Sequence, residues 1–282
     1  MTPSFPYSRR QLLRASLALT GSHLAGIPGV LLAQAPARGA QEAGRLDELP
    51  DFQRLVAANR ILANENIVDA FGHVSVRDPR NARRFVMSRS RSPALVALDD
   101  LMEFDLDGTP VDARGRTAYG ERMIHGAVYE ARADVDAVIH YHAYSILPFT
   151  ITDVPLKPVI HTASIIGAEI PVWDIRDRYG DTDMLVRTIE QGRDLAATLA
   201  ENTCLLMRGH GAVVVGATVP RAVLTAIYLQ VNAGVLLQAR TLGEPEGLSD
   251  EEIRRAAETQ FSPLALDRAW EHLCLRAGVD PV

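Results

Sequence analysis

Two histidines spaced by one residue, His140 and His142, close an apolar run at 135–142. On a strand, residues i and i+2 point to the same face, so both imidazoles project together, near enough to hold one metal ion. The pair lies at the carboxyl end of a buried strand, where α/β sites tend to form. A third histidine, His210, stands in Arg208-Gly209-His210-Gly211 between two apolar stretches. Its flanking glycines let the backbone turn sharply and bring the ring against another segment. Three neutral imidazoles leave coordination positions open for a substrate, the pattern of a catalytic rather than a structural metal site. Glu121 follows Gly120 at the start of a helical stretch, where the helix dipole favours a carboxylate. Its functional reading is a general acid/base aimed at a metal-bound substrate. His125 lies one turn later on the same face and reads as a supporting residue.

These groups need elements to position them. The spacing predicts helices over 52–63, 121–132, 182–201, 219–241, 249–259 and 263–277. It predicts strands over 71–78, 85–87, 101–106, 135–142, 169–173, 203–207 and 212–215, with a turn at Asp107-Gly108. Helices and strands are interspersed without a repeat, so one α/β layered domain is expected over 48–282.

Composition narrows the chemistry. The net charge is -6 with no basic run, which disfavours nucleic acid as a partner. Lys157 is the one lysine in the chain and sits in Leu-Lys-Pro. Schiff-base catalysis and a phosphate-binding P-loop are therefore not expected. Cys204 and Cys274 stand seventy residues apart without a spacing motif, so no thiolate zinc site is expected, and a buried free thiol is the favoured reading of Cys204. Ser8-Arg9-Arg10-Gln11-Leu12-Leu13-Arg14 precedes a glycine-diluted apolar stretch and small-x-small cleavage sites near Ala35 and Ala37. Residues 1–37 thus resemble a twin-arginine export signal. They imply a periplasmic product with no membrane span after processing, or a cytoplasmic one if the signal is unused. Residues 38–47 read as a polar linker.

Gly-His-Val-Ser at 72–75, Glu121 with His125 and Tyr129, Ala-Val-Ile-His-Tyr-His at 137–142 and Leu-Met-Arg-Gly-His-Gly at 206–211 occur in that order. Together they resemble the class II aldolase/adducin family over about 50–240. The resemblance implies a three-layer α/β/α sandwich around a central mixed, largely antiparallel sheet. It implies one divalent metal ion per subunit (zinc, manganese or iron) on His140, His142 and His210, with Glu121 as acid/base, and a homo-oligomer, a tetramer being favoured.

The departures from the family bear on substrate. Sugar-phosphate aldolases of this family usually carry Thr-Gly after the second strand and Ser-Ser before the glutamate. Here those places read Ser88-Arg89-Ser90-Arg91-Ser92 and Tyr119-Gly120. Arginines suit a planar carboxylate, and the Ser-Arg-Ser pattern is similar to that of the family's decarboxylases of hydroxylated aromatic or pyridine carboxylates. Arg89, Ser90, Arg91, His73, Ser75 and His161 are the substrate-side candidates, for a small carboxylate. A decarboxylase is expected first and an aldolase acting on a non-phosphorylated hydroxy-keto substrate second. Iron-dependent oxygen chemistry and an adducin-like scaffold are the further alternatives.

Overall fold

Short apolar runs, closed by turns, pair into one sheet. The computed structural model describes residues 49–282. Its strands are β1 (His73–Arg77), β2 (Arg84–Ser88), β3 (Leu101–Asp105), β4 (Ala137–Tyr141), β5 (Val172–Trp173), β6 (Cys204–Met207) and β7 (Gly211–Gly216). They lie in the order β3-β2-β1-β4-β7-β6-β5. Each neighbouring pair is antiparallel except β5 with β6, which is parallel.

The helices are α1 (Pro50–Asn64), α2 (Arg122–Ala131), α3 (Leu147–Thr150), α4 (Arg176–Tyr179), α5 (Ile189–Leu199), α6 (Val219–Leu242), α7 (Asp250–Gln260) and α8 (Pro263–Ala277). One face of the sheet, with Val74, Val86, Ile139 and Val214, packs on Phe52, Leu55 and Leu62 of α1 and on Val223 and Leu229 of α6. The other face, with Phe85, Met87, Val138 and Val213, packs on Ile124 and Val128 of α2 and on Leu195 and Leu199 of α5. Strands covered on both faces read as continuous apolar runs, which is why β4 lacks a polar alternation. The result is the expected α/β/α sandwich around a mixed, largely antiparallel sheet.

Among the described residues, α6 is the helix long and apolar enough to cross a membrane by length and composition. Here Val223, Leu229, Ala233 and Leu236 of α6 are buried in the core. The Thr218 hydroxyl accepts the Arg221 N–H at its start, and Pro220 occupies its first turn, where a missing N–H costs nothing.

Two elements depart from expectation. The helix expected over 182–201 begins only at Ile189, because Thr188 and Gln191 form a reciprocal capping box there. Residues 180–188 form instead a loop that reaches the site. The strand expected over 169–173 shrinks to Val172–Trp173, since Pro171 has no N–H for the ladder. Cys204 and Cys274 are both buried and unpaired. The proposed export signal and linker, residues 1–37 and 38–47, lie outside the described residues.

Candidate functional site

The sheet's register assembles the site. β4 lies between β1 and β7 and pairs His140 with His73 on one side and with Val213 on the other. His140 is fully buried and projects with Val138 towards α2 and α5. His142 lies just past the end of β4, its ring edge-on to that of His140 at 4.7 Å. His210 is carried by the tight turn from β6 to β7. Gly209 adopts φ +63°, and a Cβ on Gly211 would meet the Tyr141 carbonyl oxygen at 2.2 Å. Both glycines are therefore needed for the turn to come this close to β4.

The three rings converge through one nitrogen each. Nε2 of His142 lies 3.0 Å from Nε2 of His140 and 3.1 Å from Nε2 of His210. Oε2 of Glu121 lies 3.5 Å from His140 Nε2 and 3.6 Å from His210 Nε2. All four ligand atoms fall within 4.8 Å of one another. Nδ1 of His140 donates to the Ala212 carbonyl at 3.1 Å, and Nδ1 of His210 donates to the Met184 carbonyl at 3.0 Å. A carbonyl only accepts, so each of these rings keeps a proton on Nδ1, which leaves Nε2 as the atom turned to the centre.

His142 can donate one proton from Nε2 and cannot satisfy both neighbours. The Glu121 carboxylate adds a further acceptor to the same point. Lone pairs crowded together in this way suit a cation. Three nitrogens each about 2.1 Å from a shared ion sit about 3.0–3.4 Å apart. The Nδ1–H to carbonyl bonds are the usual outer support of histidine ligands. The residues present thus fit a divalent ion.

Glu121 occupies the position before the first turn of α2, yet its side chain makes no cap there. Its Oε1 accepts the Val186 N–H at 3.0 Å instead, so the carboxylate bridges the 180–188 loop and the imidazoles. Burial works to raise its pKa, but His140, His210 and the Val186 N–H outweigh that and hold it at about 2. Burial pushes the His142 pKa down to about 3 and that of His210 to about 4, with His140 adding to each. Both rings are therefore neutral and ready to bind metal at ordinary pH.

These shifts set an acid limit. Above pH 6.5 the rings are neutral whether the chain is folded or unfolded. Below it the unfolded chain takes up protons that the folded site refuses, until the folded values near 3 and 4 are reached. Glu121 adds a loss in the same direction as pH falls from its ordinary 4.5 towards 2. The metal-free protein is expected to melt at progressively lower temperature as pH drops from 7 to 4.5, measured by thermal unfolding in chelator. A flat profile across that range would contradict the burial of neutral histidines.

The substrate-side candidates divide. His73 is buried, its ring 5.1 Å from that of His140 and 4.7 Å from that of Tyr119. Its Nδ1 pairs with His125 Nε2 at 2.7 Å, and His125 Nδ1 pairs with the Ser75 hydroxyl at 2.6 Å. Ser75 completes this buried chain at Tyr129, 2.8 Å away. Ser75 is thus turned to α2 rather than to the cleft, and His125 has the supporting place expected of it.

Arg89 and Arg91 both engage the buried Asp100, a residue that sequence reasoning missed. Ser90 is exposed, its N–H donating to the Thr117 carbonyl. His161 is exposed on a 3-10 turn and pairs with Gln260 of α7 at 3.1 Å, so one chain does not bring it to the imidazoles. A cleft of about 560 Å³ opens beside the metal-ligand set, with Ile67, Asp69, Ser92, Ala94, His142 and Tyr144 in its lining.

Sheet order and layers are those of a class II aldolase-type domain, and its three-histidine, one-glutamate cluster offers the donors for a metal ion. Residues 53–237 match the family described as Class II Aldolase and Adducin N-terminal domain, and the chain belongs to that family. It is 35% identical over 244 residues to Decarboxylase tropJ of Talaromyces stipitatus, covering 76% of this chain and 90% of the relative. It is 25% identical over 236 residues to 3,4-dihydroxyphthalate decarboxylase of Arthrobacter keyseri, covering 78% and 91%. Among solved structures, L-fuculose 1-phosphate aldolase from Glaciozyma antarctica superposes with a TM-score of 0.63 at 25% identity, covering 81% of this chain and 91% of that one.

Proposed function

We propose that the protein is a divalent-metal-dependent carbon–carbon lyase, a decarboxylase of a small hydroxylated aromatic or keto carboxylic acid. The observation that carries this reading is the convergence of three imidazole Nε2 atoms and a buried Glu121 carboxylate on one point. An arginine pair stands where phosphate-using relatives keep a phosphate cradle, and two relatives that bear decarboxylase names add support.

His140, His142 and His210 would hold the ion, which when bound supplies a Lewis acid for the negative charge that develops on the substrate's hydroxyl or keto oxygen. Arg89 and Arg91 hold a carboxylate of the substrate. Glu121 rests ionised, so it can take the hydroxyl proton of a hydroxylated substrate on binding or, for a keto acid, a proton from water. The carbon–carbon bond then breaks, carbon dioxide leaves, and the electron pair stays on the ring or enolate. Glu121 returns the proton to that carbon. His73, against both His140 and Tyr119, packs between the ion site and the arginines and keeps water from the reacting carbon.

Incubating the metal-loaded protein with a panel of hydroxyaryl mono- and dicarboxylates is expected to release one carbon dioxide per substrate consumed. The same panel separates the alternatives. Aldehyde release from a hydroxy-keto acid without carbon dioxide would assign an aldolase, the activity named for the fold neighbour from Glaciozyma antarctica. Oxygen uptake would assign iron-dependent oxygen chemistry, and a chain that retains no metal would return the scaffold reading. We further propose a homo-oligomer, a tetramer, for which Tyr144, 81% exposed on the rim of the cleft, offers a contact. The twin-arginine-like segment would deliver it to the periplasm.

A further inference from the structure

The sheet register carries one row of residues outward from the metal-ligand set. His140 pairs with His73 across β4 and β1. Continuing the Ser75↔Met87 register by two residues sets His73 opposite Arg89. Continuing the Ser88↔Leu101 register by one sets Arg89 opposite Asp100. The Arg89 N–H does donate to the Asp100 carbonyl, at 2.7 Å. Opposed residues of an antiparallel pair project to the same face. Met87 and Met102, two residues from Arg89 and Asp100, pack in the same core as Val138, two residues from His140. The row His140, His73, Arg89, Asp100 therefore lies on one face. Strand spacing of about 4.8 Å places the Arg89 Cα about 10 Å from that of His140, a separation that one small aromatic acid can bridge.

Asp100 is a built anchor. It is 5% exposed. It accepts Arg89 Nε at 2.7 Å, Arg91 NH1 at 3.0 Å on each oxygen, and the Ala97 N–H at 2.9 Å. Burial opposes its charge, but these donors hold its carboxyl below the ordinary range, so it is ionised. The hydroxyl of Tyr119 donates to the Arg91 carbonyl and accepts its N–H, while its ring rests on His73. The main chain of the arginine loop is thereby pinned to the metal side. Arg116 is turned to the carbonyls of Asp99, Leu101 and Ala113.

We infer that Asp100 determines the charge class of the substrate group this seat accepts: with two guanidiniums fixed on one buried carboxylate, the seat carries a net charge of about +1 and selects a planar carboxylate over a dianionic phosphate. The inference rests on the carboxylate reading above and names the residue that enforces it. Asp100 acts through the arginines and is a positioning residue. The free guanidinium N–H groups, held in a fixed fork, match a planar monoanion bidentately. Without Asp100 the seat would carry two positive charges and mobile arginines, the better partner for a dianion.

The test compares benzoate with phenyl phosphate at pH 8, each titrated calorimetrically into the metal-loaded full chain and into Asp100→Asn. Wild type is expected to prefer benzoate, and the variant to shift the affinity ratio towards phenyl phosphate by about tenfold or more. Contacts of either probe with the ion cancel in this comparison, because the ligand set is the same in both proteins. A folded Asp100→Asn whose ratio stays within about twofold of wild type overturns the inference, as does a wild type that binds neither probe. If Asp100→Asn does not fold, Arg91→Gln replaces it. That variant is expected to keep its metal and lose about tenfold in benzoate affinity, and unchanged affinity would overturn the inference. Binding needs no turnover, so a shifted ratio without carbon dioxide release from any acid would sink the decarboxylase reading and leave the seat standing. Release with an unshifted ratio would do the reverse.

Discussion

His210→Ala is expected to purify without stoichiometric metal and to lose turnover by at least about a thousandfold. His210 sits on a turn outside the strand ladder, half-buried, and makes two contacts of consequence: Nδ1 to the Met184 carbonyl and Nε2 to the centre. Its removal leaves the core intact, so the loss reads out ligation and not collapse. His140→Ala should lose metal equally and in addition melt earlier. That ring is fully buried in the central strand, and its loss leaves a cavity and removes its hydrogen bond to the Ala212 carbonyl. The exposed His272 is the control, and its alanine variant should retain both metal and rate. Metal content per chain by elemental analysis, with melting temperature alongside, decides the matter. One ion per chain retained in His210→Ala would remove that residue from the ligand set.

The clustering of His140, His142 and His210 was legible in the sequence because its signals are local. A period-two histidine pair ending an apolar run and a histidine between two glycines each encode their own geometry. The strands were legible for a related reason: burial on both faces leaves continuous apolar runs with turn residues at their ends. What escaped depends on pairings between segments far apart in the chain. Asp100 looks like one more acidic residue before a strand. Only the β2–β3 register, which sets it opposite Arg89, gives it a purpose.

The 180–188 loop was hidden differently. Its sequence continues the helical spacing of α5, and the Thr188–Gln191 capping box, not the apolar pattern, decides where the helix starts. Met184 takes a positive φ of 65° to deliver its carbonyl to His210, a strained conformation for a residue with a side chain. No composition rule marks such a position. Strand alternation places Ser75 on the same face as His73 but cannot say that α2, through His125 and Tyr129, takes up its hydroxyl.

Glu121→Gln separates holding the ion from moving the proton. The glutamine can still accept the Val186 N–H through its amide oxygen, at the place where Oε1 now accepts it at 3.0 Å, so the side chain should keep its position. His140 and His210 retain their outer hydrogen bonds, so the three imidazoles should still hold the metal. What disappears is a group that can take a proton and return it. The variant is expected to bind about one ion per chain, to bind benzoate as wild type does, and to lose kcat by about 10²–10⁴-fold with a much smaller change in KM. Retained metal and retained benzoate binding beside a lost kcat is a split that mere loosening of the site would not produce. Glu121→Asp tests the same point from the other side. It keeps the proton-carrying group but draws it back by one methylene, so partial activity with metal retained is expected. A Glu121→Gln enzyme that turns over at the wild-type rate would mean that the proton comes from elsewhere, and that the carboxylate sits beside the imidazoles only to hold the loop at Val186.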